Sequence, residues 1–418
     1  MQHLKEHLLK TFTKYIQIES GSEEDTNLSP STPTQFEFAK ILKKDLETLG
    51  LEDIILTEHC HITATLPANI EYKVPVIGFI AHMDTFPGGT KGRTVKPQLH
   101  KNYQGGDIVV SKEHNIIITP KMSPALNDCI GHDIVTASGD TLLGADDKAG
   151  ISIIIVMLQY LLKHPEIKHG QIKVAFTPDE EIGFGTKHFQ KDNFKADFAF
   201  TLDGECGDGI VAETFNAFAA NIKVKGVMAH TGMAKDIMEN PVRILSDIIS
   251  AWPESKLPET TCRKEDFICF TALTADLEKA SAKAIIRSFS EEGIKQQAEL
   301  LKAIIAEKQL KYPNSKIELT LTPQYKNMKQ VLDKHPHILK LAQEALKEEG
   351  LNTEIQSVRG GTDGANLSFM GIPTPNLDAG YSLPHGPFEW TSLDVMAKVL
   401  KGIIRITENN AKQAEKKA

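Results

Sequence analysis

The amino-acid sequence predicts an α/β protein: a sheet covered on both faces by helices, with a second, ferredoxin-like (βαββαβ) domain inserted into the first. Three observations point there. The chain has 418 residues, too many for one domain at roughly 150 residues each. Near both ends, short apolar runs alternate with helical stretches, as strands and helices of a two-face-covered sheet do. Between them lies a block whose elements follow the order β-α-β-β-α-β.

The elements follow in chain order. Leu4, Leu8, Phe12, Tyr15 and Ile16 recur at helical spacing and define a first helix. A second helix opens at Ser31-Thr32-Pro33 and closes at Gly50, since proline suits the first helical position and glycine the stop. Residues 74–81, 172–176 and 198–202 are short apolar runs typical of buried strands, and an apolar helix spans 149–162. In the middle block, Asn240-Pro241 starts a helix to about Trp252, and strands fall at 221–225, 268–273, 283–287 and 316–322. A capping box of Ser288 with Glu291 opens a helix to about Leu310. The end returns to α/β, with helices over 336–349 and 393–408 and strands over 354–358 and 375–377. The expected organisation is a main domain in two parts, 1–216 and 326–418, around an insert, 217–325.

Composition removes several classes. Hydrophobic residues make up 41% and charged residues 24%, which supports a large core and argues against disorder. A net charge of −8 disfavours nucleic acid as a partner. The longest apolar run, 153–158, is far below the roughly 18 residues of a membrane span. The N-terminal residues hold no uninterrupted apolar stretch, so no secretory signal is expected. Five cysteines at 60, 129, 206, 262 and 269, odd in number and without paired spacing, read as reduced thiols of a cytoplasmic protein.

Acids and histidines collect where strands end or helices begin. His82 and Asp84 follow the first apolar run; two residues apart on a strand, they point the same way, and a carboxylate so placed can orient a metal-bound imidazole. Asp146-Asp147 precede the apolar helix, Asp179-Glu180-Glu181 follow the second run, Asp203 follows the third, and His385 sits in a loop after the last. Open α/β sheets bind ligands at the carboxyl ends of their strands. Two histidines with three carboxylates make a mixed N/O set for zinc, manganese or cobalt, enough for two ions sharing one bridging carboxylate. One acid of Glu180-Glu181 is then left to act as a base. Spacing alone does not separate Asp146 from Asp147 as the shared ligand.

The motifs H-M-D-T (82–85), S-G-D-T-L-L-G-A-D-D-K-A-G (138–150), T-P-D-E-E-I-G (177–183), L-D-G (202–204), R-G-G-T-D-G-A (359–365) and G-Y-x-x-x-H-G (380–386) follow in that order. In this they closely resemble the tripeptide aminopeptidase branch of the M20 metallopeptidases, over nearly the whole chain. The resemblance implies a zinc-peptidase-like mixed sheet and a βαββαβ lid that also mediates homodimer contacts. It implies His82 and Asp203 on one metal, Glu181 and His385 on the other, and Asp146 bridging, with a cis Asp146-Asp147 peptide. It makes Glu180 the general base and Asp84 the residue that orients His82. His230 would approach the reacting carbonyl, and Arg287 or Arg359 would hold a substrate carboxylate. The implied activity is release of the N-terminal residue from tripeptides by metal-activated water, with two divalent ions, zinc foremost.

Several stretches depart from that branch. Glu205-Cys206 follow Gly204, the lid reads His230-Thr231-Gly232 in place of H-P-G, and Ser288 and Ser290 stand where acids are usual after Arg287. Residues 262–270 replace an aromatic-glycine stretch. Most of these lie in the lid, which leaves open a dipeptidase, an N-acyl amino acid deacylase or a non-catalytic metal-dependent peptide-binding protein. His59-Cys60-His61 alternates faces on a strand and His335-Pro336-His337 opens a helix, so neither is expected to bind metal. No G-x-S-x-G and no H-E-x-x-H occurs.

Overall fold

The computed structural model describes residues 2–24 and 26–416. The chain divides into two compact units: Met1–Ala212, Met328–Ser357 and Thr362–Ala418 form the first, and Glu213–Asn327 with Val358–Gly361 form the second. The last of these segments was expected in the main domain. It travels with the insert because Val358 donates its N–H to Glu213 and Phe215 donates to Gly360.

Four parallel strands make the centre of the first unit, in spatial order Ile172–Thr177, Ile77–His82, Phe198–Glu205 and Asn376–Ser382. Antiparallel strands extend the sheet on both sides: Ile62–Leu66 and Glu52–Leu56 beyond the first, and Trp390–Ser392, Ile134–Thr136 and Gln98–His100 beyond the last. The sheet is therefore mixed. Ile77–His82 and Ile172–Thr177 are buried at every residue, because a strand covered on both faces has no wet side to alternate with. Helix Ala145–Lys163 is buried along most of its length and packs on the central strands and on helices Gln2–Ile16 and Leu393–Glu415. Helix Pro33–Leu49 starts on its proline and ends at Gly50 with φ +74°, a left-handed stop that costs glycine little. Phe79 and Phe200, neither exposed, stack across neighbouring strands; truncating such a ring costs about 3–5 kcal/mol. The carboxyl ends of the four parallel strands lie side by side, which brings the distant acidic and histidine motifs to one edge of the sheet.

The second unit holds four antiparallel strands in spatial order Phe267–Ala275, Lys279–Ser288, Asn216–Lys225 and Lys316–Tyr325. Along Lys279–Ser288, Ala280, Ala282, Ala284 and Ile286 point to one face. They pack there with Ile244, Leu245 and Ile248 of helix Pro241–Ser250 and Leu301 of helix Glu291–Lys311. Asn240 caps the first of these helices by accepting from Val242 N at 2.9 Å. The cap of the second is Ser290, which accepts from Gly293 N at 2.9 Å, and not Ser288 as the capping box predicts. Strand Lys279–Ser288 runs one position past the expected end at Arg287 and takes Ser288 into the sheet. No helix among the described residues is long and apolar enough to cross a membrane.

Candidate active site

His82 is the last residue of its strand and 2% exposed. Its Nε2 lies 2.8 Å from Asp146 Oδ1 and 3.5 Å from Asp203 Oδ1. Its Nδ1 faces the backbone carbonyl of Asp84 at 3.0 Å, with the Asp84 carboxylate further off at 3.4 Å. The Asp84 carboxylate has a second task that spacing does not reveal. Its two oxygens accept from the backbone N–H groups of Glu180 (3.0 Å) and Glu181 (3.2 Å), fixing the turn that carries both glutamates. Asp179, at φ +54°, anchors the same turn from behind through Ser31 and Gln35.

The Asp146-Asp147 peptide is cis, and both residues leave the helical conformation. Their side chains part. Asp147 turns back to accept from His82 N and Gly150 N, at 3.2 and 3.1 Å. Asp146 reaches forward, with Oδ1 on His82 and Oδ2 at 3.2 Å from His385 Nε2. His385 also meets Glu181 Oε2 at 2.9 Å, and its ring stacks on Phe86 with centroids 4.4 Å apart. Asp203 is held by Tyr381, whose hydroxyl donates to its carboxylate at 2.9 Å, and by the Asn376 amide. Ligand atoms of His82, Asp146 and Glu181 fall within 4.8 Å of one another, as do those of His82, Glu180 and Asp203.

The electrostatics of this cluster call for cations. Burial pushes Glu180 well above the usual carboxylate range, with Asp203 adding to it, and raises Asp203 itself. Burial with Asp146 beside it raises Glu181 to about 8. Burial opposes a charge on the imidazoles, yet the carboxylates around His82 raise it well above its ordinary value, and Asp146 and Glu181 raise His385 to about 10. Burial likewise opposes ionisation of Asp146, and the two histidines overcome it and lower its pKa. The acids thus compete for protons that divalent ions would replace. Glu181 Oε1 is buried with no hydrogen-bond partner, as an oxygen reserved for an ion would be. The mixed N/O donor set fits zinc, cobalt or manganese.

Three acids around the cluster had no predicted role. Asp147 supports His82 as described. Asp363, in the R-G-G-T-D-G-A motif, is buried and raised to about 7, chiefly by burial. A β-carbon on Gly185 would come within 2.2 Å of its carboxylate, which explains that glycine. Glu389 is buried as well and raised to about 7, chiefly by that burial. The three residues expected to touch substrate all lie in the second unit. His230 is exposed and accepts from Gly232 N. Arg287 bonds Gln324 at 3.0 Å and lies over the Tyr325 ring. Arg359 donates to the Arg263 and Glu265 carbonyls and to Thr261, and sits over Phe215 and Phe267.

The decoys lie elsewhere. His59 stacks on His188 at 3.8 Å, and His61 bonds the Gly185 carbonyl. Cys206 Sγ sits 3.9 Å from Cys129 Sγ, and all five cysteines are free.

A mixed sheet with paired histidine–carboxylate clusters at its carboxyl edge defines a hydrolase built for metal, and the chain belongs to peptidase family M20/M25/M40, whose model matches residues 143–409. It is a peptidase T-like enzyme: Peptidase T of Bacillus cereus (strain Q1) is 42% identical over 412 residues, 99% of this chain and 100% of that protein. Among solved structures, a tripeptidase from Staphylococcus aureus superposes with a TM-score of 0.77 at 24% identity, covering 98% of this chain and 99% of that one. Aminopeptidase PepT from Bacillus cereus gives 0.75 at 22% identity, covering 97% and 99%. Both likenesses concern the fold.

Proposed function

We propose that this enzyme is a two-metal aminopeptidase that releases the N-terminal residue from tripeptides. The observation that carries the reading is Asp146, whose two oxygens face two different histidines. His82 and Asp203 would hold one divalent ion, Glu181 and His385 the other, and Asp146 both, with zinc first and cobalt or manganese as substitutes. The chemistry such a pair supplies when bound is Lewis acidity toward water and the peptide carbonyl. Glu180 is the base. It is half-buried, its backbone is fixed by Asp84, and it lies within the His82–Asp203 triad, so it takes the proton of the attacking water. The same carboxyl, in surroundings that favour its protonated form, returns the proton to the leaving amine. Asp147 and Tyr381 hold His82 and Asp203 in place throughout. The reading gives His230, Arg287 and Arg359 substrate-contacting roles and the second unit a part in self-association. Alanine variants and sedimentation velocity test these.

The test compares a free tripeptide, its N-acetyl form and a matched dipeptide on zinc- or cobalt-replete protein. Release of the N-terminal residue from the free tripeptide is expected. Preference for the acetylated peptide would mean a deacylase, preference for the dipeptide a dipeptidase, and binding without turnover a non-catalytic peptide binder. Glu180→Gln should lower kcat by about 10²–10⁴-fold with metal content unchanged.

A further inference from the structure

Glu389 lies just past His385 in sequence and is 1% exposed, a buried carboxylate that the site as described leaves unused. Its contacts are all backbone. Oε2 accepts from Leu143 N at 2.8 Å and Gly144 N at 2.7 Å; Oε1 accepts from Asp146 N at 2.9 Å. Gly144 sits at φ +74°, the left-handed conformation that lets neighbouring N–H groups converge on one anion. The carboxylate therefore closes a clamp around the turn 143–146, and one arm ends on the residue whose side chain faces both histidines. The other end of the clamp is tied to the second histidine. Glu389 N donates to Gly386 O at 3.2 Å, so the turn that presents His385 also presents Glu389. One side chain thereby joins the Asp146 turn to the His385 loop.

We infer that Glu389 is a positioning residue for metal binding: it sets the backbone of Asp146 so that its carboxylate can be shared, and holds the His385 loop in register with it. The inference rests on the proposed role of Asp146 as a ligand. Glu389→Gln discriminates well. The amide oxygen can still accept from Leu143 and Gly144, while the amide N–H₂ then faces the N–H of Asp146, donor against donor. The turn keeps most of its support, and the arm that sets Asp146 is broken.

The experiment titrates metal-free protein with cobalt(II) alone, following the visible absorption bands and competing the ion with a chelator. Circular dichroism and urea midpoints of the metal-free proteins are measured alongside. Glu389→Gln should keep its fold, bind cobalt about 10–100-fold more weakly than wild type and show altered bands. Glu389→Asp keeps the charge but shortens the reach. It should show the same loss to a smaller degree, and it decides the matter if the glutamine variant does not fold. Asp146→Asn serves as the reference. Loss of cobalt binding in Asp146→Asn with wild-type affinity and bands in the Glu389 variants overturns the positioning role, whatever their stability. Wild-type cobalt binding by Asp146→Asn overturns the ligand reading itself, and this inference with it.

Discussion

Lys148 offers a test of the interior in which the sign of the effect changes with pH. Its ammonium is buried, with Nζ 2.6 Å from the Ile18 carbonyl and over the Phe38 ring. Burial lowers its pKa from 10.5 to about 7, against the pull of Glu389, Asp84 and Glu19. Between those two values the unfolded chain binds a proton that the folded chain gives up, so stability rises as pH rises from 7 towards 10.5. At about 1.4 kcal/mol per unit, the buried amine costs the fold about 4 kcal/mol at pH 7 and about 1 kcal/mol at pH 10. Lys148→Met has nearly the same shape and removes that cost, but leaves the Ile18 carbonyl unpaired, a loss of about 1–3 kcal/mol. The metal-free variant should therefore be more stable than wild type by about 1–3 kcal/mol at pH 7 and less stable by about 1 kcal/mol at pH 10. Equilibrium urea titrations at the two values measure it. A variant that is weaker than wild type at pH 7 by the same margin as at pH 10 would refute the reasoning, because it would mean that the ammonium is not penalised by its surroundings.

Two further outcomes follow from single contacts. Phe86→Ala removes the ring stacked on His385, worth about 0.5–1.5 kcal/mol, and should weaken cobalt binding by about 2- to 10-fold in a chelator competition. His61 is lowered from 6.5 to about 4 by burial, despite its bond to the Gly185 carbonyl. Its contribution is present above pH 6.5 and lost as pH falls towards 4, so it costs about 2 kcal/mol between pH 7 and pH 5. His61→Gln should flatten that part of the stability profile, read from urea midpoints at the two pH values.

Local rules carried far where one backbone choice decided the outcome. Pro33 and Gly50 bracket a helix, and Asn240 caps another, because each of those residues favours a single conformation or bond. They fell short where two chemically equal residues competed. Ser288 and Ser290 are both fit to cap, and the choice between them is made by how far a strand pairs with its neighbours. Asp146 and Asp147 are alike in composition and burial. Their opposite directions are set by the turn they share, which local spacing does not carry. Glu389 was invisible for a related reason. Its partners are backbone N–H groups some 240 residues earlier, and backbone groups leave no mark in a sequence. Arg359 shows the limit of chain position as a guide, since a return of a few residues moves it from one unit to the other.

The placement of strand Asn376–Ser382 at the centre of the sheet bears on how the enzyme comes into being. Asn376 braces Asp203, yet follows it by 173 residues, and His385 and Glu389 come later still. At about 5–20 residues per second, a ribosome spends on the order of ten to thirty seconds between those points. Throughout that time the emerging chain carries His82, Asp146, Glu181 and Asp203 without the residues that complete their surroundings. The proposed metal site is therefore completed late in synthesis, since an unfinished copy lacks His385, one of its five proposed ligands, and the Asn376 and Glu389 that brace the others.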